Sequence, residues 1–101
     1  MDSNIQSMQK RMFALFGHGN ISFHLAKLLE ENGEMAQAII KERPRAVIAD
    51  EVADVVMSAL LIAEELGIDD VGSRIRDKLA YMEQNKKYLN FKIPDSLDKR
   101  S

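Results

Sequence analysis

Two pairs of acidic residues are the part of the sequence best suited to chemistry. The first pair is Glu31 and Glu34. The second pair, Glu51 and Asp54, follows after sixteen intervening residues. Residues three positions apart are neighbours on one face of an α-helix, so each pair predicts two adjacent carboxylates. The breaker Arg-Pro-Arg at 43–45 separates the pairs, and helices joined by a short turn pack antiparallel. We therefore expect the four carboxylates to converge in one small space.

A cation is needed to hold such a group together, because four like charges at short range repel strongly and burial increases the repulsion. Carboxylate oxygens without His or Cys suit hard cations, so Mg²⁺ is expected first and Mn²⁺ second. The expected ligands are Glu31, Glu34, Glu51 and Asp54. Carboxylate-bound Mg²⁺ keeps some waters and takes its remaining ligands from substrate phosphates. The pattern therefore indicates phosphate chemistry.

The ordinary alternative is that these acids form a solvated helix face, and the second acidic helix argues against it. Between Val52 and Leu66, eleven of fifteen residues are apolar, and they occur on nearly all sides of a helix. A helix of that kind is predicted to be buried. Four polar residues of this helix fall in one narrow strip: Glu51, Asp54, Ser58 and Glu65. A charged strip on a buried helix needs a partner or a metal.

The segment 28–36 (LLEENGEMA), followed by 50–56 (DEVADVV), resembles the MazG-type all-α nucleoside triphosphate pyrophosphohydrolases. The mark of that family is E-E-x-x-E followed at this range by E-x-x-D. The resemblance implies hydrolysis of an NTP or dNTP to the monophosphate and pyrophosphate with Mg²⁺, and a role in clearing noncanonical or excess nucleotides. It also implies a homodimer or homotetramer, because family members complete the site with a second subunit.

Glu30 and Lys27 lie beside the expected ligands. Glu30 is about 100° round the helix from Glu31, so we expect it to flank the metal and act on the attacking water. The alternative is that Glu30 only balances Lys27 or Arg45. Lys27 precedes Glu30 by three residues and Glu31 by four, a spacing typical of an intrahelical ion pair. Its functional interpretation is a contact with substrate phosphate.

The remaining candidate substrate contacts come from the two ends of the chain. The resemblance implies that residues near the end of the first helix hold the base, which makes Phe16 and His18 candidates. It also implies that Lys and Asn near the end of the fourth helix contact phosphates, which makes Lys78 and Asn85 candidates. The alternatives are core or interface packing for Phe16, a plain loop for His18 and a solvated basic face for the fourth helix. A grip on the triphosphate tail by Arg43 or Arg45 is a further alternative to exposure at the bundle end.

Helical periodicity and capping residues predict four helices. The first starts at Asp2 or Ser3 and ends near Gly17, and the second has Ser22 as its N-cap. The others run from about 46 to 66, with Gly67 ending the helix, and from a cap at Asp69 or Asp70. Gly33 lies inside the second helix, where we expect close packing against another helix. We expect an all-α antiparallel bundle of about four helices, completed by oligomerisation, with an arm at 90–101.

Composition narrows the class further. At 101 residues, 46% hydrophobic and 30% charged, the chain predicts one folded domain. A net charge of −2 with no basic block does not favour nucleic acid as a partner, and no apolar run is long enough to favour a membrane. The chain has no cysteine, so neither disulfides nor thiolate metal sites are expected, and the cytoplasm is the default location.

Two other functions fit the same pattern. One is phosphoribosyl-ATP pyrophosphohydrolase, which shares the acidic motif and fold with the family that the chain resembles. The other is a helical metal-binding or partner-binding module without activity. A carboxylate di-iron bundle would need Glu-x-x-His pairs. Neither His18 nor His24 follows a Glu at that spacing, so this option is excluded.

Overall fold

The computed structural model describes residues 4–17 and 19–85, and this part of the chain is all-α. It contains α1 (Asn4–Phe16), α2 (Ile21–Ile40), α3 (Arg45–Glu65) and α4 (Val71–Gln84). The predicted class and the number of helices are confirmed. His18, the expected cap at Asp2 or Ser3, and the arm at 90–101 lie outside the described residues. None of the described helices is long and apolar enough to cross a membrane.

The centre of the fold is the antiparallel pair formed by α2 and α3. These two helices make the most extensive contact, α1 packs against α3, and α4 packs against α1. The connection between α2 and α3 is residues 41–44, which is short enough to force neighbouring helices to run in opposite directions. This arrangement brings the acidic part of α2 opposite the first turns of α3.

The helix starts are set by polar caps, one of which differs from the expectation. Asn20 caps α2, because its Oδ1 accepts a hydrogen bond from the Ser22 backbone N–H at 2.7 Å. The prediction of Ser22 as the cap was wrong, because Ser22 lies inside the first turn and its backbone is the donor. Asp70 caps α4 by accepting from the Ser73 N–H at 3.1 Å, which confirms one of the two expected caps.

A Schellman turn ends α3 where the glycine predicts it. Gly67 has φ +76°, and its N–H donates to the Glu64 carbonyl at 3.0 Å. The Ile68 N–H donates to the Ala63 carbonyl at 2.8 Å. These two bonds satisfy carbonyls that the helix itself leaves without donors, and glycine takes the left-handed conformation without strain.

The same turn ends α2, with a glutamate in place of the glycine. Glu42 has φ +54° and its N–H donates to the Ile39 carbonyl at 3.1 Å, while the Arg43 N–H donates to the Ala38 carbonyl at 2.9 Å. A left-handed conformation costs a residue other than glycine about 1 kcal/mol or more. The hydrogen bonds of the turn and the packing of the two helices hold this residue there.

Gln9 joins α1 to the connection between α3 and α4. Its side chain is fully buried, with an exposure of 0%. Nε2 donates to Glu64 Oε1 at 3.1 Å and to the Ile68 carbonyl at 2.9 Å, and Oε1 accepts from the Val71 N–H at 3.2 Å. Lys10 adds ion pairs with Glu64, at 3.3 Å, and with Asp69. Sequence analysis did not predict this network.

Two packing expectations were wrong for the single chain. Val52, Val56 and Met57 of α3 are 41%, 48% and 40% exposed, although α3 was expected to be buried on all sides. Within the described part of the chain, α2 and α1 cover only part of α3. Gly33 also lacks the expected close neighbour, because a Cβ built there would meet no described atom within 4 Å outside its own helix.

Candidate metal centre and flanking cavities

Carboxylates from the middle of α2 and the first half of α3 meet between the two helices. Oxygen atoms of Glu31, Glu51 and Asp54 lie within 4.8 Å of one another. Octahedral Mg²⁺ binds oxygens at about 2.1 Å, which places opposite ligands about 4 Å apart. Small side-chain adjustments would therefore bring these three oxygens around one ion. The donor set is all oxygen, which suits Mg²⁺ or Mn²⁺.

Two of these carboxylates each have one buried oxygen without a hydrogen-bond partner among the described residues. The Glu31 side chain is 12% exposed, and Glu51 is half-buried. Glu31 Oε2 and Glu51 Oε2 are both buried, and within the described residues neither has a hydrogen-bond partner. Leaving a charged oxygen buried and unpartnered costs several kcal/mol in general. A bound cation would remove that cost, so these residues fit the Mg²⁺ or Mn²⁺ ion that their oxygen donors predict.

Glu34 belongs to a second set that overlaps the first. Oxygens of Glu30, Glu31 and Glu34 lie within 4.8 Å of one another, so Glu31 is common to both sets. The four expected ligands therefore do not form one compact group. The negative charge of Glu31, then burial, then the charge of Glu51 raise the pKa of Glu34 above its ordinary value. We call Glu30, Glu31, Glu34, Glu51 and Asp54 the acidic cluster.

Lys27 is the cation paired with the acidic cluster. Its Nζ lies 3.3 Å from Glu30 Oε1 and 3.6 Å from Glu31 Oε1, as the helical spacing predicts. The hydrogen bond to Glu30 and the charges of Glu30 and Glu31 raise the pKa of Lys27. Lys27 therefore stays protonated, but it reaches only the α2 side of the cluster. Glu30 is the more accessible acid of the pair, with 55% of its side chain exposed.

An apolar cleft of about 460 Å³ opens on one side of the acidic cluster. Its lining residues are Phe16, Gly19, Phe23, His24, Lys27, Glu31, Asp54, Met57, Ser58 and Leu61. Two of the sequence candidates, Phe16 and Lys27, thus lie in the same wall as two acids of the cluster. The size falls in the range of small-molecule sites, about 300–1,000 Å³.

His24 is a cleft residue that sequence analysis considered only as a metal ligand of a di-iron motif, which it excluded. The side chain is buried, and its Nε2 lies 3.9 Å from Glu65 Oε2. Glu65 Oε2 also accepts from the Gly19 N–H at 3.0 Å. A Cβ at Gly19 would lie 2.6 Å from His24 Nε2, so a larger residue at this position would require the imidazole ring to shift. The signal was available, because His24 precedes Glu31 by seven residues and so shares its helix face.

A smaller polar cavity of about 180 Å³ lies on the other side of the acidic cluster. Its lining residues are Glu34, Gln37, Ala38, Lys41, Arg43, Val47 and Glu51. Sequence analysis treated Arg43 mainly as part of a helix breaker and did not single out Lys41. Both cations face a cavity that shares its wall with two of the expected metal ligands.

Lys78 and Asn85 lie apart from both cavities. Lys78 lines a separate depression on α4 with Arg74, Asp77, Tyr81 and Met82. Asn85 ends α4, and its Nδ2 donates to the Tyr81 carbonyl at 2.8 Å. Neither residue lines the apolar cleft or the polar cavity of its own chain. Their assignment to substrate stays a prediction, and so does that of His18.

The fold and the cluster together define an all-α protein with a candidate cation site, lined by carboxylates, between two antiparallel helices. The model of the MazG nucleotide pyrophosphohydrolase domain matches residues 20–87, and the chain belongs to this family. The match begins at the α2 cap and includes α3 and α4, so the resemblance seen in the acidic motif is confirmed. No curated protein and no solved structure matches the chain.

Proposed function

We propose that this protein is a Mg²⁺-dependent pyrophosphohydrolase of nucleoside triphosphates, converting an NTP or dNTP and water to the monophosphate and pyrophosphate. The observation that carries the proposal is the pair of buried oxygens on Glu31 and Glu51, which have no hydrogen-bond partner within residues 4–17 and 19–85 and lie beside a cleft large enough for a nucleoside. Membership of the MazG family supports the class of bond that is cleaved.

Glu31, Glu51 and Asp54 would hold the ion, with Glu34 at its edge. When bound, Mg²⁺ supplies positive charge to the phosphates and lowers the pKa of a water molecule. The carboxylates keep the ion at the junction of the two cavities. Glu34 has a raised pKa, and a cation close to it would reverse that effect by favouring the charged form.

Glu30 is the proposed catalytic base. The water oxygen attacks the α-phosphorus, the bond from that phosphorus to the bridging oxygen breaks, and pyrophosphate leaves with the bond electrons. Glu30 accepts the proton that the water loses. Its carboxylate is exposed, and its hydrogen bond to Lys27 holds it at the cluster.

Substrate contacts follow from the walls of the apolar cleft. Phe16 and Phe23 offer flat apolar surfaces to a nucleobase, and Lys27 offers a positive charge to a phosphate. His18, which lies outside the described residues, is proposed as a further base contact. Lys78 and Asn85 are proposed as phosphate contacts supplied to the site by a second subunit.

Oligomerisation is part of this proposal. The described helices expose many large apolar side chains, including Leu15 at 80%, Leu29 at 72% and Ile40 at 78%. This amount of exposed apolar side chain supports an interaction surface that a second subunit would cover. We propose a homodimer or homotetramer that acts in the cytoplasm to remove unwanted nucleotides.

The test is a panel of ribo- and deoxyribonucleoside triphosphates, with phosphoribosyl-ATP included, assayed with and without Mg²⁺. We expect release of pyrophosphate only with Mg²⁺, and a loss of about 100-fold or more in Glu51→Gln. Glu83→Gln, an exposed glutamate of α4, is the matched control and should retain activity.

The products decide between the alternatives. Orthophosphate in place of pyrophosphate would mean that a different bond is cleaved. Turnover of phosphoribosyl-ATP alone would assign the phosphoribosyl-ATP pyrophosphohydrolase function. Mg²⁺ binding without turnover of any nucleotide would favour a binding module.

A further inference from the structure

We propose that the polar cavity at the α2–α3 turn binds the β- and γ-phosphates of the substrate, and the pyrophosphate product, through Lys41 and Arg43. This inference rests on the proposed function and adds an orientation to it. The nucleoside would occupy the apolar cleft, the α-phosphate would lie at the acidic cluster, and the phosphate tail would extend towards the turn.

The acidic cluster connects the two cavities. Glu31 and Asp54 line the apolar cleft, and Glu34 and Glu51 line the polar cavity. Oxygens of Glu31, Glu51 and Asp54 lie within 4.8 Å of one another, so the two walls meet at the candidate metal centre. A ligand that bridges both cavities must therefore pass over the cluster, which is where the scissile bond has to lie.

The charges of the polar cavity distinguish it from an ordinary acidic surface. Lys41 and Arg43 line it, yet within the described residues neither forms an ion pair. Lys27 on the other side of the cluster is paired with two glutamates. Glu34 and Glu51 line the same cavity, and a metal ion held by the acidic cluster would offset their charge. The two unpaired cations would then suit a polyanion, and the guanidinium of Arg43 can bind phosphate oxygens in a bidentate manner.

Size and backbone also fit this assignment. The polar cavity, at about 180 Å³, is smaller than a typical site for a drug-sized ligand and suits a small anion. The turn is held by backbone bonds from the Lys41 N–H to the Gln37 carbonyl and from the Arg43 N–H to the Ala38 carbonyl, both at 2.9 Å. Pro44 follows and restricts the chain further. The two cations therefore project from a backbone of fixed shape.

The experiment compares the two ends of the proposed ligand by calorimetry in Mg²⁺ buffer. Pyrophosphate and a nucleoside monophosphate are titrated separately into the wild type and into the double variant Lys41→Ala/Arg43→Ala. We expect the affinity for pyrophosphate to fall at least about tenfold and that for the monophosphate to change less than about twofold. Arg45→Ala is the matched control, because Arg45 is exposed in the same turn region but does not line the cavity.

The calorimetry measures binding without turnover, so failure of the proposed orientation can be separated from failure of the proposed function. The orientation is overturned if the double variant keeps full affinity for pyrophosphate, or if its affinity for the monophosphate falls as much. It is also overturned if the wild type binds no pyrophosphate, or if Arg45→Ala has the same effect as the double variant. Normal Mg²⁺ and pyrophosphate binding without hydrolysis would contradict the proposed reaction alone. Unfolding curves of each variant confirm that the comparison uses folded protein.

Discussion

The two ends of α3 carry the same type of residue in opposite situations. Near its start, Glu51 faces the other acids of the cluster and has a buried oxygen without a partner among the described residues. At its end, Glu64 accepts a hydrogen bond from Gln9 at 3.1 Å and pairs with Lys10 at 3.3 Å. Glu65 next to it accepts from the Gly19 N–H at 3.0 Å.

This contrast distinguishes carboxylates that stabilise the fold through partners in the chain from carboxylates that we propose bind a ligand. Partners supplied by the chain itself repay the desolvation of Glu64. The acidic cluster gathers like charges, and we propose that this destabilises the metal-free protein and favours binding of a cation. Each prediction below tests whether the two ends of α3 respond differently to Mg²⁺, to substitution of their acids or to pH.

The largest expected effect is stabilisation by the metal itself. At a Mg²⁺ concentration of 100 times Kd, the free energy of unfolding should rise by about 2.7 kcal/mol, because the folded state alone has the site. Asp54→Asn should lose most of this gain. Thermal or urea unfolding with Mg²⁺ and with a chelator measures the difference.

A variant at the other end of the helix is the control for this result. Glu64→Gln should keep the full Mg²⁺ response, although its basal stability is lower. An equal loss of the Mg²⁺ response in both variants would show that the metal does not act at the acidic cluster.

The next effect is a difference in sign between two identical substitutions. In metal-free protein, Glu64→Gln should lower the free energy of unfolding by about 1 kcal/mol, because the ion pair with Lys10 is lost at a side chain that is 8% exposed. Glu51→Gln should raise it by about 1 kcal/mol, because a charge leaves the acidic cluster. Urea unfolding at neutral pH compares them. Destabilisation of both by similar amounts would contradict the distinction.

Sequence reasoning identifies one end of α3 and not the other for a physical reason. The pairs Glu31/Glu34 and Glu51/Asp54 follow from helical spacing, which is a local property. Glu64 differs from Glu51 through two residues of α1, Lys10 and Gln9. Gln9 is 55 residues away, and its other partners are backbone groups. No side-chain pattern records such a contact.

The same limit explains the two cavities. The periodicity of α2 places Lys27 and Glu31 on one face, so part of the apolar cleft follows from local spacing. The polar cavity forms only because the turn returns Lys41 and Arg43 alongside Glu51 of the next helix. The shape of that turn depends on a glutamate in a conformation that favours glycine, which composition does not predict.

The smallest expected effect is a pH dependence that belongs to the acidic cluster alone. In metal-free protein the charge of Glu31, burial and the charge of Glu51 raise the pKa of Glu34. Folding then favours its protonated form, so this group lowers the free energy of unfolding as pH rises from the ordinary carboxyl pKa through the raised one. Above that window the whole penalty is present, and below it there is none.

Glu34→Gln should therefore gain stability relative to the wild type as pH rises from about 4 to 7. Urea unfolding across that range measures the gain, and Glu83→Gln should show no such trend. A stability difference between Glu34→Gln and the wild type that is the same at every pH would mean that the repulsion at this end of α3 does not reach Glu34.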